Sequence, residues 1–296
     1  MKKHTALLFF SMMLVLLAAC GNTNEAKDDT DEQAEETVEG ETIVFGLTTW
    51  TSTEAPSNIA KLILEEAGYN VEFSLLDQPV IFEGLVNKDV HFFMDAWLPY
   101  TEAELWANYE DDLQKVATSY SDVPLGWVVP SYVEEDTIDD LIGNAEKFDE
   151  QVLTIDPGAG IVTLSEELIK EYGIEDEYSL TTSSEFAMIA EAEEKIENEE
   201  PIIITGWRPH SMFAAFDLKF LEDEKDIFKS DNVYVISYDG IEEEYQRAYD
   251  ILSKWSIEVE DLEEMMLAYE EEGRSFEELA EEWINENRDQ VDEMLE

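Results

Sequence analysis

Basic residues, histidine and cysteine are scarce in this sequence. It has 17 lysine and arginine residues against 73 aspartate and glutamate residues, together with three histidines and a single cysteine, Cys20. The formal net charge of -56 argues strongly against nucleic acid as a partner, because binding to phosphates needs basic side chains. With only one cysteine, the chain has no internal disulfide.

Common catalytic motifs are missing as well. The sequence contains no GxSxG elbow, no P-loop and no HExxH pair. Beyond the N-terminal segment only His91 and His210 remain, and His91 lies in an apolar stretch where a structural role is expected. Acidic pairs are unavoidable among so many carboxylates, so they give no evidence for a glycosidase. We therefore predict a protein that is not an enzyme and that has neither a cofactor nor a metal site.

Long apolar runs are absent except for one at the N-terminus. Lys2 and Lys3 precede an uncharged stretch from Ala6 to Leu17, which is short for a membrane span of about 20 residues. This layout predicts a secretory signal peptide over residues 1–19. The ending Leu17-Ala18-Ala19-Cys20 resembles the lipobox of bacterial lipoproteins, which implies a lipid on Cys20 and an anchor on the outer face of the cell membrane.

Residues 20–41 are polar and acidic and have almost no large apolar side chains. Such a segment cannot bury enough surface to fold, so we predict a flexible tether. The acidic excess continues through the rest of the chain. Its self-repulsion is screened at about 1 M salt, where the Debye length is roughly 3 Å. The composition therefore indicates a salty medium outside the cell.

Two series of alternating strands and helices follow, which predicts an α/β fold with parallel sheets. The first series runs from Thr42 to Pro99, and the second begins at Val152 after an extended, proline-bounded segment at 124–130. A strand predicted near Val233 returns the chain to the first half. We predict lobe 1 from 42–128 and 233–296, lobe 2 from 129–232, and a ligand cleft between the lobes at the strand ends.

Three tryptophans, Trp50, Trp97 and Trp207, come directly after predicted strands in the two lobes. One such residue would be interpreted as packing, but three at equivalent positions favour a shared site. Aromatic faces suit a quaternary ammonium group, which cannot donate hydrogen bonds. Trp106, Trp127, Trp255 and Trp283 lie within predicted elements or the crossing segment, so we assign them to packing.

A glycine-containing turn, Asp156-Pro-Gly-Ala-Gly160, leads from a predicted strand into a helix. Glycines allow backbone amides to turn toward a ligand, and a helix N-terminus favours anions. The turn is therefore a candidate seat for a carboxylate. On its own it is equally consistent with an ordinary strand-to-helix connection.

These residues resemble the glycine betaine-type substrate-binding proteins of bacterial ABC importers, from about Thr42 to the C-terminus. The most specific segments are 95–99 (DAWLP), 155–161 (IDPGAGI) and 204–210 (ITGWRPH). The resemblance implies a two-lobed periplasmic-binding-protein fold of type II, with a central sheet flanked by helices in each lobe. It implies a cation cage of Trp50, Trp97 and Trp207, and carboxylate contacts from the backbone amides of Gly160 and Ile161.

Two positions depart from the pattern of close relatives. Glu102 stands where those relatives have a histidine that bonds the ligand carboxylate, and Ser211 replaces an aromatic residue. A carboxylate facing a carboxylate repels unless one is protonated. Either Glu102 points away and Arg208 or the amides compensate, or the ligand lacks a carboxylate, as choline does. Glu102, Arg208 and His210 are therefore candidate residues close to the ligand.

The resemblance implies an extracellular receptor that delivers glycine betaine, or a related quaternary ammonium osmoprotectant, to the permease and ATPase subunits of an importer. We expect a monomer. The alternatives are a receptor for choline and, from other classes of protein, a secreted hydrolase or a structural lipoprotein. A structural lipoprotein would not need aromatic side chains at strand ends in both lobes.

Overall fold

A computed structural model describes Val38 and residues 40–296. The predicted signal peptide, the lipidation of Cys20 and most of the predicted tether lie outside the described residues. Within the described part, no helix is both long and apolar enough to cross a membrane.

The N-terminal half of the described chain forms the following elements: β1 (Thr42–Leu47), α1 (Thr51–Glu66), β2 (Asn70–Leu75), α2 (Gln78–Val86), β3 (Phe92–Leu98), α3 (Ala103–Tyr109) and β4 (Leu113–Val123). The middle of the chain forms these elements: β5 (Leu125–Pro130), β6 (Gln151–Thr154), α4 (Gly160–Tyr172), β7 (Ser179–Thr182), α5 (Glu185–Glu197), β8 (Ile204–Trp207), α6 (Met212–Ala215) and β9 (Leu218–Phe220), with 3-10 turns at Asp139–Leu141 and Ala145–Phe148. The last part forms these elements: β10 (Asp231–Tyr238), α7 (Ile241–Glu244), α8 (Gln246–Ser253), α9 (Val259–Glu272), α10 (Phe276–Glu286) and α11 (Arg288–Leu295).

The strands form two five-stranded sheets with the same plan. The first has the order β2-β1-β3-β10-β4, and the second has the order β7-β6-β8-β5-β9. In each sheet three strands run parallel, and the fourth position is an antiparallel strand that arrives from the other sheet: β10 in the first and β5 in the second. The predicted α/β architecture of two lobes with flanking helices is confirmed.

Both sheets have strands that are buried along their whole length. Every residue of β3 (FFMDAWL) and of β5 (LGWVVP) is buried, as expected where helices cover both faces of a sheet. Asp95 is therefore an ionisable residue buried within an otherwise apolar strand. Its position indicates a role beyond packing, because carboxylates are almost never fully buried without partners.

The chain crosses between the sheets earlier than predicted. All of β5 pairs with the second sheet, so the crossing lies at Pro124 and not after residue 128. The return falls within residues 221–230, just before β10 begins at Asp231. The crossing was predicted too late in the chain because the prolines at 124 and 130 flank a buried strand, β5, and not a connecting segment. We propose lobe limits at these two crossings.

Candidate functional site

A cavity lies between the two sheets and is lined by residues of both. The first lobe contributes Trp50, Ser52, Gln78, Trp97, Thr101 and Glu102, and the second contributes Leu125, Ile155, Ala159, Gly160, Ile161 and Trp207. Its volume is about 350 Å³, including the opening to solvent. A cavity of this size is suited to a small molecule.

Three tryptophans form much of this wall. Trp50, Trp97 and Trp207 are 7%, 6% and 4% exposed. Trp50 precedes α1, whereas Trp97 lies inside β3 and Trp207 is the last residue of β8. The prediction that all three follow strands in loops was therefore wrong for Trp97 and Trp207, although all three face one cavity. The buried strand β3 extends past Asp95 to Leu98, because its apolar run resumes at Ala96.

Two of the indole N–H groups are held by carboxylates. Trp50 Nε1 donates to Asp156 Oδ2 of the second lobe at 3.1 Å, and Trp97 Nε1 donates to Asp95 Oδ1 at 2.8 Å. The third ring, Trp207, packs edge-on against the His210 ring with centroids 4.9 Å apart. These contacts fix the planes of the three indole rings.

Asp95 is the centre of a buried hydrogen-bond network. Besides Trp97 it accepts from Ser52 Oγ at 2.9 Å, from Thr53 Oγ1 at 2.8 Å and from Tyr120 OH at 3.4 Å. Complete burial raises the pKa of Asp95, and the four donors counteract this increase. Ser52 and Thr53 belong to the first turn of α1, so the network joins β3 to that helix beside the cavity.

The N-terminus of α4 closes the second-lobe side of the cavity. Its N-cap residue is Ala159, which makes no side-chain cap, and its first turn contains no acidic residue. The backbone of Gly160 approaches the first lobe closely: a Cβ atom there would lie 2.4 Å from the carbonyl oxygen of Thr101. Only glycine fits at this position. The predicted carboxylate seat, Gly160 and Ile161, therefore lines the same cavity as the tryptophans.

Glu102 forms part of the cavity wall and is only 3% exposed. Its Oε1 accepts a short hydrogen bond from Gln78 Nε2, and its Oε2 is buried without a hydrogen-bond partner. Burial raises the pKa of Glu102 well above its usual range; the charges of Asp95 and Asp231 add to the increase, and contacts with Trp97 and Gln78 oppose it. The surroundings of Glu102 therefore favour the protonated form of this side chain more than water does.

Arg208 and His210 do not line the cavity. The Arg208 guanidinium lies 3.4 Å from Glu263 Oε1 of α9 and covers the Phe213 ring, so it cannot compensate for Glu102.

His210 Nδ1 accepts from Met212 N at 3.0 Å, and its Nε2 lies 3.3 Å from Glu185 Oε1. Glu185 also accepts from Thr51 Oγ1 at 2.8 Å. His210 thus supports Trp207 and a contact between the lobes.

Sequence reasoning missed several residues of the wall, above all Gln78. Gln78 is the first residue of α2 and follows the end of β2 by a short turn. The rule that ligands meet residues beyond the carboxyl ends of parallel strands would have found it. Ser52, Leu125 and Ala159 carry no comparable signal, since small or apolar residues in these positions are usual in cores.

A family model described as the substrate binding domain of ABC-type glycine betaine transport system, OpuAC, matches residues 41–286. The chain belongs to this family. The family is one of transport substrate-binding domains and is not an enzyme family. The curated glycine betaine/carnitine transport binding protein GbuC of Listeria monocytogenes serotype 1/2a (strain 10403S) is 37% identical over 148 residues. That match spans about half of each protein, 49% of this chain and 49% of the relative.

Solved structures support the family over nearly the whole described chain. Lactococcal OpuAC in its closed-liganded conformation with glycine betaine is 30% identical, with a TM-score of 0.82 over 86% of this chain and 100% of its own. The glycine betaine/L-proline-binding protein ProX of Borrelia burgdorferi is 26% identical, with a TM-score of 0.82 over 85% and 95%. A choline-binding protein in complex with choline shares the fold, at 24% identity and a TM-score of 0.81 over 86% and 91%.

Proposed function

We propose that this family member is the solute receptor of an ABC importer and binds glycine betaine or a related quaternary ammonium osmoprotectant in the cavity between its sheets. The observation that carries the proposal is the meeting of three oriented indole rings in one narrow cavity. A trimethylammonium group offers no hydrogen-bond donor. It is therefore recognised by electron-rich ring faces and by dispersion contacts with its methyl groups.

The N-terminus of α4 supports a ligand with a carboxylate. Gly160 and Ile161 are the first two residues of the helix, where backbone N–H groups have no partner within the helix. The helix dipole favours an anion at this end. A zwitterion with a carboxylate close to its ammonium group would place one end on these amides and the other among the indoles, because both line the same cavity.

The magnitudes are consistent with micromolar affinity. A desolvated cation–aromatic contact contributes about 2 kcal/mol, and a hydrogen bond to a charged group contributes about 1.5–3 kcal/mol. Three contacts of the first kind and two of the second give about 10 kcal/mol before the cost of association. Micromolar binding needs about 8 kcal/mol, so tight nanomolar binding is not expected from these groups alone.

A cation without a carboxylate, such as choline, is the second candidate. The residues that line the cavity include no lysine, arginine or histidine, and they do include Glu102. A cavity without basic side chains is compatible with a net positive ligand. Comparing zwitterionic and cationic ligands therefore belongs in the first experiment.

The proposal extends to the cellular setting. We propose that the receptor is a monomer that docks to permease and ATPase subunits and catalyses no reaction. We also propose that a lipid on Cys20 holds it at the outer face of the cell membrane through an acidic tether at 20–41. A tether of that length allows the receptor to reach the permease while it captures solute from the medium.

The experiment is a titration of the full chain followed by tryptophan fluorescence, with glycine betaine, proline betaine, carnitine and choline as separate ligands. At least one should change the emission with a dissociation constant in the micromolar range, and no ligand should be chemically altered. If none binds at up to about millimolar concentration, the contacts counted above do not form and the proposed function is wrong.

A further inference from the structure

Glu102 accepts fewer hydrogen bonds than Asp95 and Asp231, the two acids that act on it electrostatically. Asp95 accepts hydrogen bonds from four side chains. Asp231 accepts from the backbone N–H groups of Tyr100 and Thr101, both at 2.8 Å. Glu102 accepts one side-chain hydrogen bond, from Gln78, and its second oxygen is buried without a partner.

Among the described residues, the charged groups that act on Glu102 electrostatically are both acidic. Asp95 on β3 and Asp231 at the start of β10 both act on it electrostatically. Outside the cavity, Glu104 and Glu167 line a neighbouring groove that Glu102 also borders. The nearby cation Lys229 lies over the outer ring of Tyr100, 5.0 Å from its centroid. When several acids crowd one site, the one with the fewest donors keeps its proton.

The unpartnered oxygen of Glu102, Oε2, is placed where its acid proton could be donated to a ligand. Glu102 Oε1 accepts from Gln78, so the acid proton belongs on Oε2. Glu102, Gln78 and Thr101 line the first-lobe side of the cavity, and Gly160 and Ile161 line the facing side. The Thr101 carbonyl is close to Gly160, so the Glu102 carboxyl group and the start of α4 border the same end of the cavity.

We propose that Glu102 acts as a neutral carboxylic acid that donates a hydrogen bond from Oε2 to the carboxylate of a bound zwitterionic betaine. Glu102 thereby determines specificity for betaines over choline, which has no carboxylate to accept the bond. The inference rests on the proposed function. It adds to that function a side chain that recognises the carboxylate of the ligand. It also gives the direction in which ligand affinity should change with pH.

Ionisation of Glu102 reverses its effect on the two ligand classes. The carboxylate form cannot donate and repels a ligand carboxylate, so affinity for glycine betaine should fall as the pH rises. A hydrogen bond to a charged group corresponds to about 10- to 100-fold in affinity, and repulsion adds to this loss. Choline should bind no more weakly at high pH, because an ionised Glu102 attracts its cation.

The experiment measures dissociation constants of the full chain for glycine betaine and choline by calorimetry, from about pH 6 to about pH 10. Three proteins are compared: the wild type, Glu102→Gln and the control Glu104→Gln. Glu104 is exposed, lies in the first turn of α3, which Glu102 precedes as the N-cap residue, and does not line the cavity. Glutamine at 102 keeps an N–H donor at every pH. Glu102→Gln should therefore bind glycine betaine within a few-fold of the wild type at low pH and keep that affinity at high pH.

The wild type and Glu104→Gln should both lose betaine affinity with rising pH, while choline affinity holds or improves. Betaine binding that is equally pH-dependent in Glu102→Gln, or that strengthens with pH in the wild type, would overturn the role of Glu102 and leave the proposed function standing. Absence of binding by both ligands at every pH would overturn the proposed function, and this inference with it. Thermal unfolding of each variant verifies that it is folded.

Discussion

At the scale of single residues, the cavity is built from side chains that are fixed by partners behind them. Trp97 donates to Asp95, and Asp95 is held by Ser52, Thr53 and Tyr120. Trp50 donates to Asp156 from the other lobe. These contacts restrict the orientations of the rings, and a side chain restricted in this way loses less conformational entropy when it binds a ligand.

Shortening Trp97 should weaken binding in graded steps. Trp97→Phe keeps a smaller aromatic face, and Trp97→Ala removes it; we expect a loss of about 30-fold for alanine, since one desolvated cation–aromatic contact contributes about 2 kcal/mol. Calorimetry with glycine betaine measures both. Trp106→Phe, on α3 outside the cavity, is the matched control. An alanine variant that is folded and binds as the wild type does would remove Trp97 from the cage.

The buried acid Glu102 should also be visible in stability without any ligand. Its pKa is raised in the folded chain. Between the unfolded and folded pKa values the native state holds more protons than the unfolded state. The free energy of unfolding therefore falls as pH rises, by at most about 1.4 kcal/mol per pH unit.

Glu102→Gln removes this slope, so its melting temperature should exceed that of the wild type by a margin that widens from mildly acidic to alkaline pH. Thermal scans at several pH values provide the comparison. The exposed Glu104→Gln change should show no such widening. A constant difference between Glu102→Gln and the wild type would mean that Glu102 ionises as easily when folded as when unfolded.

At the residue scale, the sequence predicted those cavity residues whose side chains are uncommon at their positions in the predicted strands and loops. Trp50, Trp97 and Trp207 stood out because indoles beside strand ends in both lobes are rare. Gln78 was missed because a glutamine before a proline is common at the start of a helix. Arg208 was predicted near the ligand from its neighbours in sequence, yet its long side chain reaches Glu263 instead. Side-chain direction depends on tertiary partners that sequence spacing does not reveal.

At the scale of elements, the contact between α4 and the first lobe depends on a missing side chain. Gly160 opens α4, and a Cβ atom there would clash with the Thr101 carbonyl at 2.4 Å. Alanine is a better helix former than glycine. The clash therefore acts on the approach of the lobes and not on the helix itself.

Gly160→Ala should reduce affinity for glycine betaine by about ten-fold or more, since forced overlap in a packed contact costs about 1–3 kcal/mol. Its melting temperature without ligand should change little. Gly126→Ala is a suitable control, because a Cβ atom there meets Phe220 at an ordinary 3.5 Å within one lobe. Unchanged affinity in Gly160→Ala would show that the lobes need not approach this closely to bind.

Element boundaries were the least accurate part of the sequence interpretation. Helix α1 begins at Thr51 and contains Pro56, whereas a proline is more usual at the first position of a helix, so the sequence alone favours a later start. Strand β4, with eleven residues, was missed altogether. It lies between an acidic helix and a proline, and its apolar positions alternate irregularly around bulges in its pairing with β10. Long-range pairing decides such a strand, so its own residues give little signal.

At the scale of the whole molecule, the net charge of -56 opposes the compact state. Its carboxylates repel one another over distances that salt shortens, and the Debye length falls from about 10 Å at 0.1 M to about 3 Å at 1 M. Local ion pairs such as Arg288 with Glu66 and Asp292 relieve only part of this repulsion.

The melting temperature should therefore rise with sodium chloride, by more than about 5 °C between 0.05 M and 1 M, which corresponds to roughly 2 kcal/mol for a chain of this size. Thermal scans followed by circular dichroism measure it. The same series near pH 4, where many carboxylates are protonated, is the control and should show a smaller rise. A flat or falling curve at neutral pH would contradict the role assigned to self-repulsion.

The two-sheet plan was predictable at this scale because strand–helix alternation restarts after the first crossing. The exact position at which the chain passes from the first sheet to the second was not predictable, because a buried strand flanked by prolines resembles a connecting segment in sequence.

The central claim is that oriented indoles and the start of α4 together recognise a quaternary ammonium zwitterion. A calorimetric comparison of glycine betaine with glycine, using the full chain at neutral pH, tests it most directly. The two ligands share a carboxylate and differ in the three methyl groups. We predict a dissociation constant near the micromolar range for glycine betaine and no measurable binding of glycine at about millimolar concentration. Equal binding of both ligands, or binding of neither, would contradict the claim.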